Sequence, residues 1–368
     1  MPGQYRVQDR VFVIAEAGVN HNGDLARAIA LVEAAADAKA NAVKFQTFRA
    51  DALVTGTASK AAYQIKQTGH DETQHAMLRR LELGHEAHHT LAAHCAKRGI
   101  EFLSTPFDGE SLRFLAEDMG LKTIKIGSGD LTNAPLLVDV ARRGLNVILS
   151  TGMSTIGDVA MALGALAFGY ADKAGAAAGP AGFAAALATG ASLLSGRVII
   201  LHCTTDYPTS PSDVNLRAMD TLRERFKLPV GYSDHTEGLT ITLAAVARGA
   251  CVIEKHLTMD RTLPGPDHKA SIEPGELKQL VDGIRAVERA LGDGDKTPRQ
   301  AELANRDVAL KSVVAARAIA EGATISAEDL CVKRPGTGIP PVRLWDLIGR
   351  RADRNYAKDQ PIDACLLT

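Results

Sequence analysis

The chain has 368 residues, of which 46% are hydrophobic and 23% charged, and its formal net charge is −1. This is the composition of an ordinary globular protein, and the small net charge gives no general attraction to nucleic acid or to an anionic membrane. We therefore expect neither as a partner. The five cysteines lack CxxC spacing and residues 1–10 do not resemble a signal peptide, so we expect a reduced, cytoplasmic protein.

Short runs of β-branched residues alternate with longer helical patterns along most of the chain. The predicted strands span residues 11–18, 42–48, 100–107, 122–129, 146–152, 197–205, 228–236 and 251–258. Alternation of this kind implies right-handed crossovers and a parallel sheet. Eight units favour an α/β fold of the closed (β/α)8 TIM-barrel type over an open doubly wound sheet.

The pattern changes after the eighth predicted helix, at residues 273–291. We assign residues 1–291 to the barrel and the polar stretch 292–306, which begins with glycine and contains proline, to a linker. Residues 307–368 are too few for a large core, and their short strands and turns predict a small β-rich module that is stabilised by docking.

Two regions invite over-interpretation. The Ala/Gly-rich residues 160–195 are too weakly apolar to span a membrane, so we interpret them as a surface helical excursion. A predicted helix carries His85, His88, His89 and His94. We favour a solvated helix face there over a metal site.

Polar residues collect where the predicted strands end, which is where a TIM barrel carries its functional groups. These residues are Glu16, Lys44, Gln46, Ser128, Thr151, Thr204, His235 and His256. A random distribution would not place them there, so we expect the site at this end of the barrel.

The two histidines follow neighbouring strands, in "GYSDHTEG" and "VIEKHLTM". Either His235 or His256 alone is more often a structural residue with satisfied hydrogen bonds. Side by side at the barrel mouth, two imidazoles could bind one divalent ion and leave open positions for water or substrate. Asp234 and Glu254 could orient these ligands or compete with them, and the spacing does not decide which.

The sequence also indicates an anion site. "IKIGSGD" places Lys125 in the fourth strand and Ser128 between two glycines, where backbone N–H groups can approach phosphate or carboxylate oxygens. "STGMST", residues 150–155, repeats this chemistry on the next strand. Either loop alone could be a simple turn. Lys44 adds a second cation, which would be costly to bury without an anion.

Several motifs together resemble one known family. They are "AEAGVNHNG", "VKFQTF", "STPFD", "IKIGSGD", "STGMS", "LHCTTDYPT", "GYSDHT", "EKHLTMDRTLPGPDHKAS" and "VKRPGTGI". In this order they resemble the N-acetylneuraminate (sialic acid) synthase family, which includes legionaminate synthases, over about residues 11–350. The C-terminal module resembles the antifreeze-like, or SAF, domain of that family.

The resemblance implies condensation of phosphoenolpyruvate with an N-acylated hexosamine such as N-acetylmannosamine. The family requires a divalent ion, with Mn²⁺ expected first and Mg²⁺ or Co²⁺ as alternatives. Matched position by position, the metal ligands are His235 and His256. The phosphoenolpyruvate-binding residues are Lys44, Lys125, Ser128, Ser154, Thr205 and Ser233. The sugar-binding residues are Gln46, Tyr207, Asp267 and Arg334.

The resemblance also implies a homodimer, because Arg334 would reach from the SAF-like domain of one subunit into the barrel of the other. A carboxylate is needed to orient the water that completes the reaction, and the candidate catalytic residues are Glu16 and Asp130. Two positions depart from the family pattern: Asp130 replaces a common Glu, and Thr205 replaces an Asn found in some members.

Each assignment has a structural alternative. Glu16 could be a buried residue paired with a lysine, Asp267 could serve a turn, and Arg334 could be solvated. Gln46 and Tyr207 could be core residues with satisfied polar tips.

The sugar is also open at this point. We rank the neuraminate precursor first, the legionaminate precursor second and pseudaminate-type sugars third. A sugar-phosphate acceptor would require a further basic cluster, which is not evident. A non-catalytic saccharide-binding protein is disfavoured because Glu16, Lys125, His235 and His256 are all present.

Overall fold

The computed structural model describes residues 10–69, 72–171 and 178–368. The chain divides into two compact units, Met1–Gly292 and Asp293–Thr368. A helix, Gln300–Ala309, begins inside the stretch 292–306 that the sequence assigned to a linker. The domain bounds 1–291 and 307–368, with a linker between them, stay a proposal.

The first unit contains a parallel sheet of eight strands within its described residues. They are β1 (Phe12–Gly18), β2 (Ala42–Thr47), β3 (Glu101–Pro106), β4 (Thr123–Ile126), β5 (Asn146–Ser150), β6 (Val198–Cys203), β7 (Val230–Asp234) and β8 (Val252–His256). The sheet order is β3-β2-β1-β8-β7-β6-β5-β4, and β3 also contacts β4, which brings the two ends of the sheet together. The predicted TIM-barrel fold is confirmed.

The helices of the first unit follow the strands in chain order. They are α1 (Leu25–Asp37), α2 (Ala50–Leu53), α3 (Ala62–Thr68), α4 (Gln74–Leu81), α5 (His85–Arg98), α6 (Gly109–Arg113), α7 (Ala134–Arg142), α8 (Ile156–Ala171), α9 (Pro180–Leu194), α10 (Ala218–Phe226), α11 (Thr240–Ala247) and α12 (Pro274–Leu291). Local chemistry fixes their ends: α1, for example, begins after Asp24, whose carboxylate accepts hydrogen bonds from two backbone N–H groups of the first turn.

Side chains alternate between the two faces of each strand, so the side chains that point inward fill the barrel in layers. An apolar layer contains one or two inward-facing residues from most strands: Ile14, Ala42, Leu103, Ile148, Ile199, Leu201 and Val252. Because side chains alternate between the two faces of a strand, the next inward residue lies two positions further on. At that level the side chains are polar, beginning with Glu16 on β1 and Lys44 on β2. The apolar layer is therefore the floor on which the candidate site rests.

The Ala/Gly-rich region is part of the barrel wall rather than a surface excursion. The inner face of α8 is buried, and α9 packs closely on α8. Gly164 permits this approach, since a Cβ at that position would lie 2.4 Å from the carbonyl oxygen of Phe183. The surface interpretation is therefore wrong for α8, and residues 172–177 lie outside the described chain. No helix in the described residues is long and apolar enough to cross a membrane.

The histidine-rich helix α5 uses its side chains in packing and hydrogen bonding. His88 is buried and lies 2.9 Å from Thr47 Oγ1 and 3.0 Å from the Gly84 carbonyl oxygen. The His85 ring stacks on Phe114. The expectation of a solvated face is therefore wrong for His88, because this face of α5 packs against β2 and β3.

The second unit has a small core of its own. It contains α13 (Gln300–Ala309) and the antiparallel pair β9 (Ser312–Ala315) and β10 (Leu330–Lys333). Its buried residues include Val313, Ile325, Leu347 and Tyr356. The prediction of a small module with short strands is confirmed.

Candidate active site

A cavity of about 430 Å³ opens at the carboxyl ends of the barrel strands. It is lined by most of the residues that the sequence assigned to the site: Glu16, Lys44, Gln46, Lys125, Ser128, Thr205, Tyr207, Ser233, His235, His256 and Asp267. Asp130 and Ser154 do not line it, and Arg334 belongs to the second unit. The predicted position of the site, at this end of the barrel, agrees with where these side chains meet.

Glu16 and Lys44 form a buried ion pair at the bottom of the cavity. The two residues are partners in the register of β1 and β2, and Lys44 Nζ lies 2.5 Å from Glu16 Oε2. Lys44 also donates to Thr105 Oγ1 at 3.2 Å. The structural alternative for Glu16, a carboxylate paired with a lysine, is thus realised, but the pair lines an open cavity rather than a closed core.

Glu254 lies between the two lysines of the cavity. Its carboxylate oxygens are 3.6 Å from Lys44 Nζ and 3.6 Å from Lys125 Nζ, and it accepts a hydrogen bond from Ser233 Oγ at 2.8 Å. The sequence left its role undecided between orienting and competing with the histidines. Its position two residues before His256, on the same face of β8, is the signal that places it in the cavity.

The two carboxyl groups have opposite protonation preferences. Burial, with the nearby negative charge of Glu254 adding to it, raises the pKa of Glu16 to about 7, although Lys44 opposes this. Burial also disfavours ionisation of Glu254, but Lys125 and Lys44 outweigh it and lower the pKa of Glu254 to about 2. Near neutral pH, Glu254 is therefore a fixed negative charge and Glu16 can gain or lose a proton.

Lys125 is held by a serine that sequence reasoning missed. Its ammonium group donates to Ser150 Oγ at 2.7 Å and to the Ile126 carbonyl at 3.2 Å. Ser150, in "STGMST", lies on β5 and lines the cavity, whereas Ser154 lines a neighbouring cavity and donates to the Gly152 carbonyl. Ser150 could have been predicted from the sequence, because every second side chain of β5 points into the barrel and Ser150 is one of them. Thr105 of β3 follows from the same rule.

Small polar groups from β4, β5 and β6 meet beside Lys125. Ser128 Oγ accepts a hydrogen bond from the Gly152 N–H at 3.0 Å and lies 3.2 Å from Cys203 Sγ. A Cβ at Gly152 would lie 2.2 Å from Thr205 Oγ1, so only glycine fits between these groups. Thr205 Oγ1 is buried and has no hydrogen-bond partner among the described residues. We define Ser128, Gly152, Cys203 and Thr205 as the anion cradle.

The two histidines predicted as metal ligands lie together. Their ring centroids are 5.3 Å apart, and the Tyr207 ring lies 4.2 Å from that of His235. Burial lowers the pKa of His235 and places that of His256 well below its usual range, so both rings are neutral near pH 7. Neutral imidazole is the form that binds a metal ion.

Hydrogen bonding leaves a nitrogen of each ring available. His235 Nδ1 lies 2.6 Å from the Thr204 carbonyl oxygen, which requires the proton on Nδ1 and leaves the lone pair on Nε2. His256 Nδ1 is buried with no hydrogen-bond partner in the described chain, although the Asp267 carboxylate lies 3.7 Å away. Burial raises the pKa of Asp267 to about 6. These donors fit a divalent ion with open coordination positions.

A second buried ion pair lies behind the histidines, on the outer side of the same strands. Asp234 and Lys255, the residues next to His235 and His256, are 2.9 Å apart and fully buried. Asp234 also accepts hydrogen bonds from Tyr232 and Thr242 and from both the backbone and side chain of Thr236. We name Asp234 and Lys255 the outer pair, in contrast to the inner cluster of Glu16, Lys44, Lys125 and Glu254.

Two further candidate residues, Asp130 and Arg334, have other surroundings within their own units. Asp130 belongs to the turn Ser128–Asp130 and accepts a hydrogen bond from Asn133 Nδ2 at 3.0 Å. Arg334 is an exposed residue of the second unit, directly after β10. Of the two predicted catalytic carboxylates, only Glu16 therefore faces the cavity.

Comparison with known proteins places this architecture in a family. A model of the NeuB family matches residues 31–296, and a model of the SAF domain matches residues 311–366. The chain belongs to the NeuB family. The predicted resemblance is confirmed, and so is the enzyme class: a phosphoenolpyruvate-dependent synthase of the aldol type.

Two relatives are N,N'-diacetyllegionaminic acid synthases. That of Campylobacter jejuni is 46% identical, covering 96% of this chain and 99% of its own length. That of Legionella pneumophila is also 46% identical, covering 94% and 91%. A crystal structure of N-acetylneuraminic acid (sialic acid) synthetase from Leptospira borgpetersenii, in complex with citrate, is 35% identical with a TM-score of 0.65 and covers 80% of this chain and 90% of that one.

Proposed function

We propose that this NeuB-family enzyme condenses phosphoenolpyruvate with 2,4-diacetamido-2,4,6-trideoxymannose and water to give N,N'-diacetyllegionaminic acid and inorganic phosphate. The observation that carries the choice of sugar is the 46% identity, over almost the whole chain, to two synthases of that acid. The sequence alone ranked N-acetylmannosamine first. It is now the second candidate, supported by the 35% identity to the Leptospira synthetase.

Phosphoenolpyruvate would bind between the inner cluster and the anion cradle. Lys44 and Lys125 offer two buried positive charges, while Glu254 is the one carboxylate of the cluster that stays ionised at neutral pH. The buried, unpartnered Thr205 Oγ1 supplies a donor for the phosphate group. An anionic ligand would therefore pair with the two lysines and use the hydrogen-bonding capacity that the site leaves open.

His235 and His256 would hold the divalent ion, because each ring is neutral, buried and has an available nitrogen. When bound, such an ion supplies a Lewis acid for the aldehyde oxygen of the open-chain sugar. The hydrogen bond from His235 to the Thr204 carbonyl fixes which nitrogen faces the ion. The identity of the metal is part of the proposal, with Mn²⁺ first.

The reaction forms one carbon–carbon bond and breaks one carbon–oxygen bond. C3 of phosphoenolpyruvate attacks the aldehyde carbon, and the aldehyde oxygen takes up a proton to become a hydroxyl group. Water adds to C2 and loses one proton, which leaves a hydroxyl group on C2. The bond between C2 and the phosphate oxygen then breaks as this hydroxyl becomes the keto group and its proton passes to the departing phosphate. We assign the acceptance of the proton from water to Glu16, because a carboxyl group with a pKa of about 7 suits proton transfer at neutral pH.

The sugar would contact the polar residues of the cavity that belong to neither the inner cluster nor the anion cradle. Gln46, Tyr207 and Asp267 line the cavity and can orient hydroxyl or amide groups. We propose in addition that two copies of the chain form a homodimer and that Arg334 of one copy contacts the N-acyl group bound to the other. Replacing Arg334 with Ala is then expected to raise KM for the sugar while leaving KM for phosphoenolpyruvate unchanged. An unchanged KM for the sugar would remove Arg334 from the site.

Phosphate release tests the proposal. The protein is incubated with phosphoenolpyruvate and Mn²⁺, with each of the two sugars in separate reactions, and a chelator is added in matched controls. We expect faster release with the 2,4-diacetamido sugar, loss of release with chelator, and recovery when Mn²⁺ is restored. Faster release with N-acetylmannosamine would favour the second candidate, and no release with either sugar would contradict both.

A further inference from the structure

One side of the active-site cavity is apolar and comes from a single segment. Between β2 and α5, the last helix before β3, the chain forms α2, α3 and α4. The cavity-lining residues of this segment whose side chains are described are uncharged: Leu53, Val54, Ala61, Gln64, Gln74, Met77, Leu78 and Leu81. We define Leu53, Val54, Met77, Leu78 and Leu81 as the apolar wall. It faces the same cavity as the inner cluster and the histidines.

The wall is a packed structure rather than a few scattered side chains. Met77 and Leu81 are buried with Val19 and Phe48 in a hydrophobic cluster separate from the main core, and Leu53, Leu78 and Phe107 pack against it. Phe48 and Phe107 meet edge to face, with ring centroids 6.1 Å apart. This packing holds the half-buried Leu53 and Leu78 at the cavity surface, and the half-buried Val54, next to Leu53 in the chain, also lines the cavity.

The same segment also contacts a cavity-lining residue next to the histidines. In α3, Gln67 Nε2 donates a hydrogen bond to the Tyr207 carbonyl oxygen at 3.3 Å. Tyr207 stacks near His235, in the region where the metal and the aldehyde end of the sugar are placed. A sugar whose aldehyde carbon lies at the histidines therefore has this segment beside it.

The two candidate sugars differ in groups that an apolar wall can distinguish. The 2,4-diacetamido-2,4,6-trideoxy sugar carries a methyl group at C6 and an acetamido group at C4, where N-acetylmannosamine carries hydroxyl groups. Methyl groups gain from burial against leucine and valine, whereas a hydroxyl loses its hydrogen bonds to water unless the site replaces them. Gln64 and Gln74 line the cavity and could hydrogen-bond to the C4 amide. Gln64 Oε1 already accepts a hydrogen bond from the Ala61 N–H, so Gln64 would contribute its Nε2.

We infer that the apolar wall is the specificity determinant of the enzyme, and that it selects sugars with a methyl group at C6 and an N-acetyl group at C4. This inference rests on the proposed function, because it concerns the same cavity and reaction. It assigns the choice of sugar to the segment between β2 and α5. The charged residues proposed to hold phosphoenolpyruvate belong to other parts of the chain.

Two substitutions on the wall test the inference. Val54→Thr keeps the size of the side chain and replaces a methyl with a hydroxyl, and Leu78→Asn replaces an alkyl end with an amide. Leu83→Asn is the matched control, because Leu83 is also half-buried in this part of the chain but does not line the cavity. The measurement is kcat/KM for each sugar, with KM for phosphoenolpyruvate and the melting temperature recorded for every variant.

For the double variant Val54→Thr/Leu78→Asn we expect the preference for the diacetamido sugar to fall about tenfold, the range in which apolar pockets discriminate small groups. KM for phosphoenolpyruvate should stay within about twofold, and Leu83→Asn should keep the wild-type preference. If the wild-type enzyme prefers the diacetamido sugar and the wall variants keep the same ratio of kcat/KM for the two sugars, the inference is overturned and the proposed function stands. A wild-type enzyme that does not prefer that sugar would overturn both.

Discussion

Two groups of buried charges adjoin on β8, where Glu254 of the inner cluster precedes Lys255 of the outer pair, and they differ in how completely their hydrogen bonds are satisfied. In the outer pair, Asp234 and Lys255 contact each other and also Tyr232, Thr236 and Thr242. In the inner cluster, the lysines face a cavity, and the nearby Thr205 Oγ1 and His256 Nδ1 have no hydrogen-bond partner within the described residues.

The difference separates a structural from a functional use of buried charge. A buried ion pair is tolerated when additional hydrogen bonds satisfy both partners, as in the outer pair. A cluster with unused donors and acceptors around an open space is stable only if its groups can change protonation or bind a ligand. Glu16, whose pKa is raised by burial, can change its protonation, and the proposed anionic substrate and metal are the ligands that the cluster would bind.

The largest expected effect on stability is in the outer pair. Replacing Lys255 with Met leaves Asp234 buried without its cation, so the free energy of unfolding should fall by about 3–5 kcal/mol. Lys44→Met should cost less than half as much, because Glu16 beside it can take up a proton. Urea unfolding measures both, and Lys278→Met, in an exposed ion pair, is the control with little change. Equal losses for Lys44→Met and Lys255→Met would contradict the distinction between the two groups.

The largest expected effect on activity alone is at Glu16. Glu16→Gln keeps the shape of the side chain but removes its ability to accept a proton, so kcat should fall by about 10²–10⁴-fold. KM for phosphoenolpyruvate should change much less, since the cradle and Lys125 are untouched. Steady-state phosphate release measures both constants. A variant with more than about a tenth of wild-type kcat would show that another group accepts the proton.

These two groups also show how much of the site can be predicted from the sequence. Alternation along the strands was enough to predict the barrel and to bring Glu16, Lys44, Lys125 and the two histidines to one end of it. It could also have selected Ser150 over Ser154. The hydrogen bonds that satisfy the Asp234 carboxylate could not be predicted, because its partners come from β7, α11 and β8 and meet only in the folded protein. The apolar wall was missed for the same reason, since its residues form a surface only after α2 and α4 pack together.

The raised pKa of Glu16 predicts a specific dependence of stability on pH. The folded protein holds this proton more tightly than the unfolded chain does. The contribution of Glu16 to stability is therefore fully present below its ordinary pKa of 4.5 and is lost as the pH rises through about 7. Each unit of pKa difference corresponds to about 1.4 kcal/mol, so the loss is at most on the order of 3 kcal/mol.

Urea unfolding of the metal-free protein between pH 4.5 and pH 8 measures this loss. Glu16→Gln should lack it, while Glu86→Gln on the exposed face of α5 should retain it. If the wild type and Glu16→Gln lost stability in parallel over this range, the raised pKa would be refuted.

The smallest expected effect is at the second carboxylate that the sequence proposed as catalytic. Asp130 bonds to Asn133 and does not line the cavity, so Asp130→Asn should change kcat by less than about twofold, in line with a substitution away from the reacting groups. The assay is the one used for Glu16→Gln. A loss comparable with that of Glu16→Gln would return Asp130 to the catalytic role.

The most direct test of the account is a competition between the two sugars. Equal amounts of 2,4-diacetamido-2,4,6-trideoxymannose and N-acetylmannosamine are mixed with a limiting amount of phosphoenolpyruvate, the protein and Mn²⁺, and the products are quantified by mass spectrometry. The ratio of products reports the ratio of kcat/KM for the two sugars in a single vessel. We predict that N,N'-diacetyllegionaminic acid will predominate, whereas an excess of N-acetylneuraminic acid, or the absence of both products, would contradict the account.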